Sequence, residues 1–199
     1  MKPSTIPVLG YALLGLLHQK AQSGYDLRKI FAETAMGNYG SSPGAIYPAL
    51  QRLERGKLIA GQVVDGSGMR RRCVYRLTDR GLAELKLWLE RPIAAGDVRR
   101  GAAELMLRFS FMEKALGVDA CIAFLRSFGG ALKPYVAELE GFLAANSAVM
   151  PLAGRLAVEN GIRGYRSMHG WTQYALRAFV RLRATNRKRK PSTSKGGRK

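Results

Sequence analysis

Four arginines within seven positions, Arg70, Arg71, Arg72 and Arg76, follow the run Asp65-Gly66-Ser67-Gly68, and the segment just upstream carries Tyr47, Gln51 and Arg52. Guanidinium groups gathered beside a tight turn suit a polyanionic backbone, because each can donate to phosphate oxygens without reading any base. Glutamine and arginine on one helix are side chains that bond bidentately to adenine and guanine edges in the major groove. The combination is the chemistry of a duplex-binding surface, with a helix that reads and a ribbon that holds. A run of charge is more commonly a solvated face. Here its place beside a hairpin turn, within reach of a groove or its phosphates, favours contact.

Other chemistries are poorly provided for. His18 and His169 each stand within an apolar helical pattern, with no cysteine or carboxylate at the spacing of a nucleophile and its base, so both read as structural and the chain as no enzyme. Glu138 and Glu140, two apart on a helix, cannot face one another. Cys73 and Cys121 lie 48 positions apart without further ligands nearby, which is neither a metal spacing nor a secreted disulfide framework. Cys121 could sense oxidants only if exposed and ionised. Gly66 and Gly68 precede a strand and lack a following Lys-Ser or Lys-Thr, which makes a hairpin tip and not a phosphate-binding loop. No cofactor and no metal is expected.

The elements that must position the arginines can be read from periodicity and caps. Leu9, Leu13, Leu16 and Leu17 recur at helical spacing after Pro7; the apolar run from Ile6 to Leu17 is too short to span a bilayer and lacks a cleavage pattern, so it reads as a core helix. Ser23 stands as the N-cap of a second helix whose inner stripe is Leu27, Ile30 and Phe31. Ser42-Pro43 opens a third, with Ile46, Leu50 and Leu53 inward, Pro48 an awkward interior residue and Gly56 a left-handed stop. That stripe leaves Ser42, Tyr47, Gln51 and Arg52 at the entering end or on the outer face. Leu58 to Val64 and Arg70 to Leu77 are strand-like on either side of the turn, with Arg72, Val74 and Arg76 on one face and Cys73, Tyr75 and Leu77 on the other. Thr78 caps a fourth helix, with Leu82, Leu85 and Leu89 buried.

Three helices, a two-stranded β-hairpin and a closing helix make a winged helix-turn-helix, here over residues 1–95, in a mainly α chain. Gly96 to Gly101 reads as a hinge into an α-helical region over 96–183. Val118, Ile122, Leu125, Leu132, Val136, Leu139 and Leu143 are spaced 4, 3, 7, 4, 3 and 4, a near-heptad whose missing member is Gly129, as expected of a helix lying along a partner. Gly129-Gly130 and Pro134 are points at which it could kink or split. A last helix is expected from about Asn160 to Leu182. Phe124, Phe128, Tyr165, Met168, Trp171 and Tyr174 are candidates for an apolar effector pocket there, against the plainer reading of core or dimer seam. Residues 184–199 read as a disordered basic tail.

The net charge is +19, and residues 181–199 hold nine lysines and arginines and no acid, which leaves +10 on residues 1–180. The folded part is basic in its own right and points to nucleic acid or an anionic membrane surface; no later stretch is long enough to span a membrane. The cysteine usage suits a reducing cytoplasm.

The run Leu9 to Leu17, Ser23-Gly24-Tyr25-Asp26-Leu27, Gly44-Ala45-Ile46-Tyr47-Pro48-Ala49-Leu50 with Arg52-Leu53-Glu54, and Arg70-Arg71-Arg72 leading to Tyr75-Arg76-Leu77-Thr78 and Gly81 together resemble the PadR family of bacterial transcriptional regulators, over roughly residues 9–90. The resemblance implies a cytoplasmic, nucleoid-bound homodimeric repressor whose winged helix binds a pseudo-palindromic operator in double-stranded DNA and whose C-terminal helices dimerise and host a small aromatic effector. It also implies a proline at position 48 and DNA contacts from Ser41, Ser42 and Tyr47. The basic tail departs from the family pattern. The alternative is a nucleoid-associated architectural protein that coats DNA without preferred sites. An RNA-binding protein is disfavoured, because no stacking aromatics are expected on an exposed sheet.

Overall fold

The computed structural model describes residues 6–39, 43–65, 71–100 and 102–189. They form eight α-helices, a 3-10 turn and a small antiparallel sheet, divided into two compact units. The first comprises Met1–Arg91 with Ala103–Ala115, and the second Pro92–Ala102 with Leu116–Lys199. The chain thus leaves the first unit after Arg91 and returns to it for one helix, an excursion that the boundary at 95/96 did not foresee.

In the first unit α1 (Val8–Gln19) is the apolar helix expected, buried from Gly10 through Leu17. Next comes β1 (Gln22–Ser23), which was not foreseen because two residues carry no alternation to read. It pairs with β3 (Arg71–Leu77), which pairs in turn with β2 (Ile59–Asp65), so the sheet has three strands in the order β1-β3-β2 and not two. Ser23 lies opposite Val74, and Ile59 opposite Leu77.

Side chains fix where the helices start. The Ser23 hydroxyl accepts from the Asp26 amide (3.2 Å) and donates to the Asp26 carboxylate (2.7 Å), which accepts in return from the Ser23 amide (3.2 Å), closing a capping box on α2 (Gly24–Glu33). Thr78 caps α4 (Asp79–Leu89) by accepting from the Gly81 amide (3.0 Å), while its hydroxyl reaches the carbonyls of Lys57 (2.8 Å) and Leu58 (3.0 Å). A Cβ at Gly81 would run into the Leu58 carbonyl, so only glycine lets α4 approach that closely.

Around these starts the core closes through paired aromatics. Tyr11 stacks on Trp88 at 4.5 Å and 3°, its hydroxyl donating to Glu84 (3.1 Å), while the Trp88 indole donates to Glu104 (3.1 Å) of α6 (Ala103–Leu116). These bonds let polar tips be buried without loss. On α6 the buried Arg108 donates to the carbonyls of Leu89 (2.8 Å) and Arg91, placing a cation on the orphan carbonyls at the end of α4.

The second unit is helical throughout its described residues. The expected hinge contains the short α5 (Ala95–Arg99), capped through Asp97, with Val98 fully buried. α7 (Val118–Asn146) runs unbroken through Gly129-Gly130 and Pro134, and α8 (Leu152–Arg189) packs along it in the opposite direction. The near-heptad therefore meets a partner within the chain: a Cβ at Gly129 would lie 2.9 Å from the Thr172 hydroxyl, which explains the gap in the apolar pattern. Ion pairs Asp119–Arg183 (3.1 Å) and Glu140–Arg166 (2.8 Å) lie along the pair, and Glu138–Arg99 (2.7 Å) ties α5 to α7. α8 begins earlier and ends later than expected. Residues 184–189, read from composition as disordered, continue its helix, since none of them is proline or glycine and Arg183 is already anchored on Asp119.

Candidate nucleic-acid interface

The third helix, α3 (Pro43–Arg55), divides as its period requires. Ile46, Ala49, Leu50 and Leu53 are buried, while Tyr47, Gln51 and Arg52 are exposed, Tyr47 at 45%. Pro48 lies on the outer face within the helix and removes only the bond to the carbonyl of Gly44, which is exposed and can bind water. The helix ends in a Schellman motif, with the Leu58 amide on the Leu53 carbonyl (2.9 Å) and the Lys57 amide on that of Glu54 (2.8 Å). The left-handed residue is Lys57 (φ 58°), and not Gly56 as expected. The motif is set by the buried pair Leu53 and Leu58 closing over the helix end, which puts the sharp turn one residue later than the glycine.

The angle between α3 and the sheet is held by Glu54, whose carboxylate accepts from the Gly61 amide on β2 (2.9 Å). Beside it, burial pushes the Tyr75 phenol up to about 12, with the neighbouring Cys73 and the charge of Glu54 adding to the shift. Tyr75 is therefore a neutral phenol at any physiological pH.

The outer face of α3 and the middle of β3 flank one turn of chain. Tyr47 lies over the first residue of α2, where a Cβ on Gly24 would be 2.8 Å from its ring. Arg72, exposed on β3, lies close enough to Asp26 for its charge to act on that carboxyl. Asp26 is held below the usual carboxylate range chiefly by the Ser23 hydroxyl; burial opposes this, by more than any one of the lesser lowering contributions from the Ser23 amide and the charges of Arg72 and Lys20. Tyr47 on α3 and Arg72 on β3 thus approach the same capped helix start. This is the arrangement that a helix in the major groove and a ribbon beside it require.

Not every predicted residue joins this group. Ser41, Ser42 and Arg70, and the side chain of Arg71, lie outside the described residues. Arg76 is four positions from Arg72, about 13 Å along the strand, and sits at the base of the sheet beside His18, Lys20 and Asp79. Two residues that the sequence reading passed over belong near the site: Tyr25, 61% exposed, carries the Arg28 guanidinium 5.5 Å from its ring centroid on the outer side of α2. Their i, i+3 spacing is the available signal in the sequence, beside the stronger apolar stripe of Leu27 and Phe31.

The effector candidates fall into two groups on the second unit. Phe124 and Phe128 are buried with rings 6.0 Å apart. Tyr165 makes an edge contact with Tyr135 at 4.9 Å, and burial raises its phenol above the ordinary value, with Tyr135 adding to the effect. Met168 and Trp171 are half-buried and Tyr174 is 67% exposed. Cys121 is fully buried, which closes its thiol to solvent oxidants. Among the described residues no cluster of His, Cys, Asp and Glu could hold a metal, and no helix is long and apolar enough to cross a membrane.

The transcriptional regulator PadR-like family matches residues 13–87. The negative transcriptional regulator PadR of Bacillus subtilis is 36% identical over 85 residues, 42% of this chain and 46% of that protein. A probable transcriptional regulator of Mycobacterium tuberculosis is 30% identical over 95 residues, 48% of this chain and 50% of that protein. The matches thus span about half the length of each curated relative. Among solved structures, Bacillus subtilis PadR in complex with operator DNA aligns over 86% of this chain and 99% of its own at 26% identity, with a TM-score of 0.41. Over residues 13–87, this chain is similar to the transcriptional regulator PadR-like family.

Proposed function

We propose that the protein is a sequence-specific regulator of transcription that binds double-stranded DNA as a homodimer, represses from a pseudo-palindromic site and works in the cytoplasm at the nucleoid. The observation that carries the reading is the convergence of Tyr47 and Arg72 on the start of α2, with Gln51 and Arg52 exposed on the same helix as Tyr47. Tyr47, Gln51 and Arg52 address base edges, while Arg72 holds phosphate together with Arg71, Arg70 and the serines at 41 and 42. Repression is supported by the likeness to the negative regulator of Bacillus subtilis. The winged helix over 1–95 is the reader, and the helical region over 96–183 makes the dimer.

Dimerisation is supported by what the second unit leaves uncovered: Phe142, Val149, Leu152 and Leu156 are all at least half exposed. Two reading helices about 34–36 Å apart then meet successive turns of one face of the duplex. A small aromatic effector held by Phe124, Phe128, Tyr165, Met168 and Trp171 would favour a dimer with the wrong spacing and so release DNA. The test is selection of bound duplexes from a random pool. An inverted repeat is expected, and a pool that stays random would overturn the reading in favour of the architectural alternative suggested by the charge of +19.

A further inference from the structure

The base of the sheet holds a feature that DNA reading does not use. A surface cleft of about 370 Å³ in the first unit is lined by Leu17 and His18 of α1, Lys20 and Ala21, Arg76 and Leu77 of β3, and Thr78, Asp79 and Leu82 at the start of α4. Its floor is hydrocarbon and its rim carries two cations against one carboxylate. Among the described residues, no acid lies within ion-pair distance of Lys20 or Arg76, although Asp79 shares the rim. His18, on the same wall, has its Nε2 closed to solvent and without a hydrogen-bond partner. A buried polar atom left in that state costs free energy that rotation of the ring toward a bound acceptor would recover. The first amides of α4 add the positive end of a helix dipole, partly offset by Asp79.

We infer that this cleft binds a small organic anion, with its carboxylate between Lys20 and Arg76 and its hydrocarbon body on Leu17, Leu77 and Leu82. An apolar floor beneath a few convergent polar groups is the usual form of such a site. Arg76 belongs to this cleft, not to the surface shared by Tyr47 and Arg72. The site is separate from the DNA surface and does not depend on the reading of its function.

Benzoate is the probe, titrated into the full chain while the imidazole signals of the two histidines are followed by NMR; His169, in the second unit, is the internal control. A saturable shift of His18 with His169 unmoved is expected, weakened at least tenfold by Lys20→Gln with Arg76→Gln. Both substituted side chains are exposed, and an unchanged melting temperature will show that the double variant folds. No saturable shift at His18, parallel shifts of both histidines, or undiminished binding to the double variant would overturn the assignment. Inorganic phosphate is the second arm: binding tighter than that of benzoate would mean that charge alone is recognised and that the apolar floor plays no part, which also rejects it.

Discussion

The first unit finishes its own surface and the second does not. In the first, short helices are started by Ser23 and Thr78 and ended by Arg108 and the Schellman turn, and the large apolar side chains pack inward around the Tyr11–Trp88 stack. What it exposes is mostly polar, cationic or amphipathic, as at Gln51, Arg52, Arg72 and Tyr47, with Val63 and Leu87 as separate apolar exceptions. In the second, 29- and 38-residue helices lie side by side, and a cluster of apolar residues at the end of the hairpin faces solvent. An exposed cationic face suits a polyanion, and an exposed apolar strip suits another apolar surface.

The largest effect that would test this contrast is in the first core. Trp88→Ala removes a fully buried ring and leaves Glu104 without its donor, and should destabilise by about 3–5 kcal/mol in urea unfolding; a loss below about 1 kcal/mol would mean that the stack is not central. For the second unit, Leu152→Ser with Leu156→Ser should weaken self-association by about 2–3 kcal/mol in sedimentation equilibrium while helicity is kept, if the apolar strip is the seam between copies. Unchanged association would move the seam elsewhere.

Smaller effects separate reader from holder. Gln51→Ala should lose about 1–3 kcal/mol of discrimination at one base position per half-site, while Arg72→Ala should weaken specific and random duplexes alike and lower the salt slope by about one contact per subunit. Arg76→Ala, at the base of the sheet, should leave the slope nearly unchanged.

The pH dependence of the first unit follows from Asp26. Its folded pKa is lowered, so the stability it contributes is complete above the unfolded carboxylate value and is lost as pH falls through the folded one. Ser23→Ala should cost about 1 kcal/mol near neutral pH, and the cost should shrink in acid unfolding, where the carboxyl is protonated in both forms. The smallest effect expected is a gain: Lys57→Gly relieves a left-handed non-glycine residue, by about 0.5–1 kcal/mol after the entropy cost of glycine.

Much of this was legible in the chain itself. The inward stripe Ile46, Leu50 and Leu53, the caps at Ser23 and Thr78 and the strands around the arginine run are local statements, fixed by periodicity and by side chains that bond their own backbone, and each stands within a residue or two of where it was read. The exposure of Tyr47, Gln51 and Arg52 follows from that stripe by geometry alone. Only tertiary structure could add β1, since a two-residue strand exists solely because β3 lies beside it. The same holds for the return of α6 to the first core and for the persistence of α8 through a stretch whose composition is that of a solvated tail. Local propensity is written in neighbouring residues. The choice of packing partner is written in surfaces far apart in the chain, and only their meeting decides it.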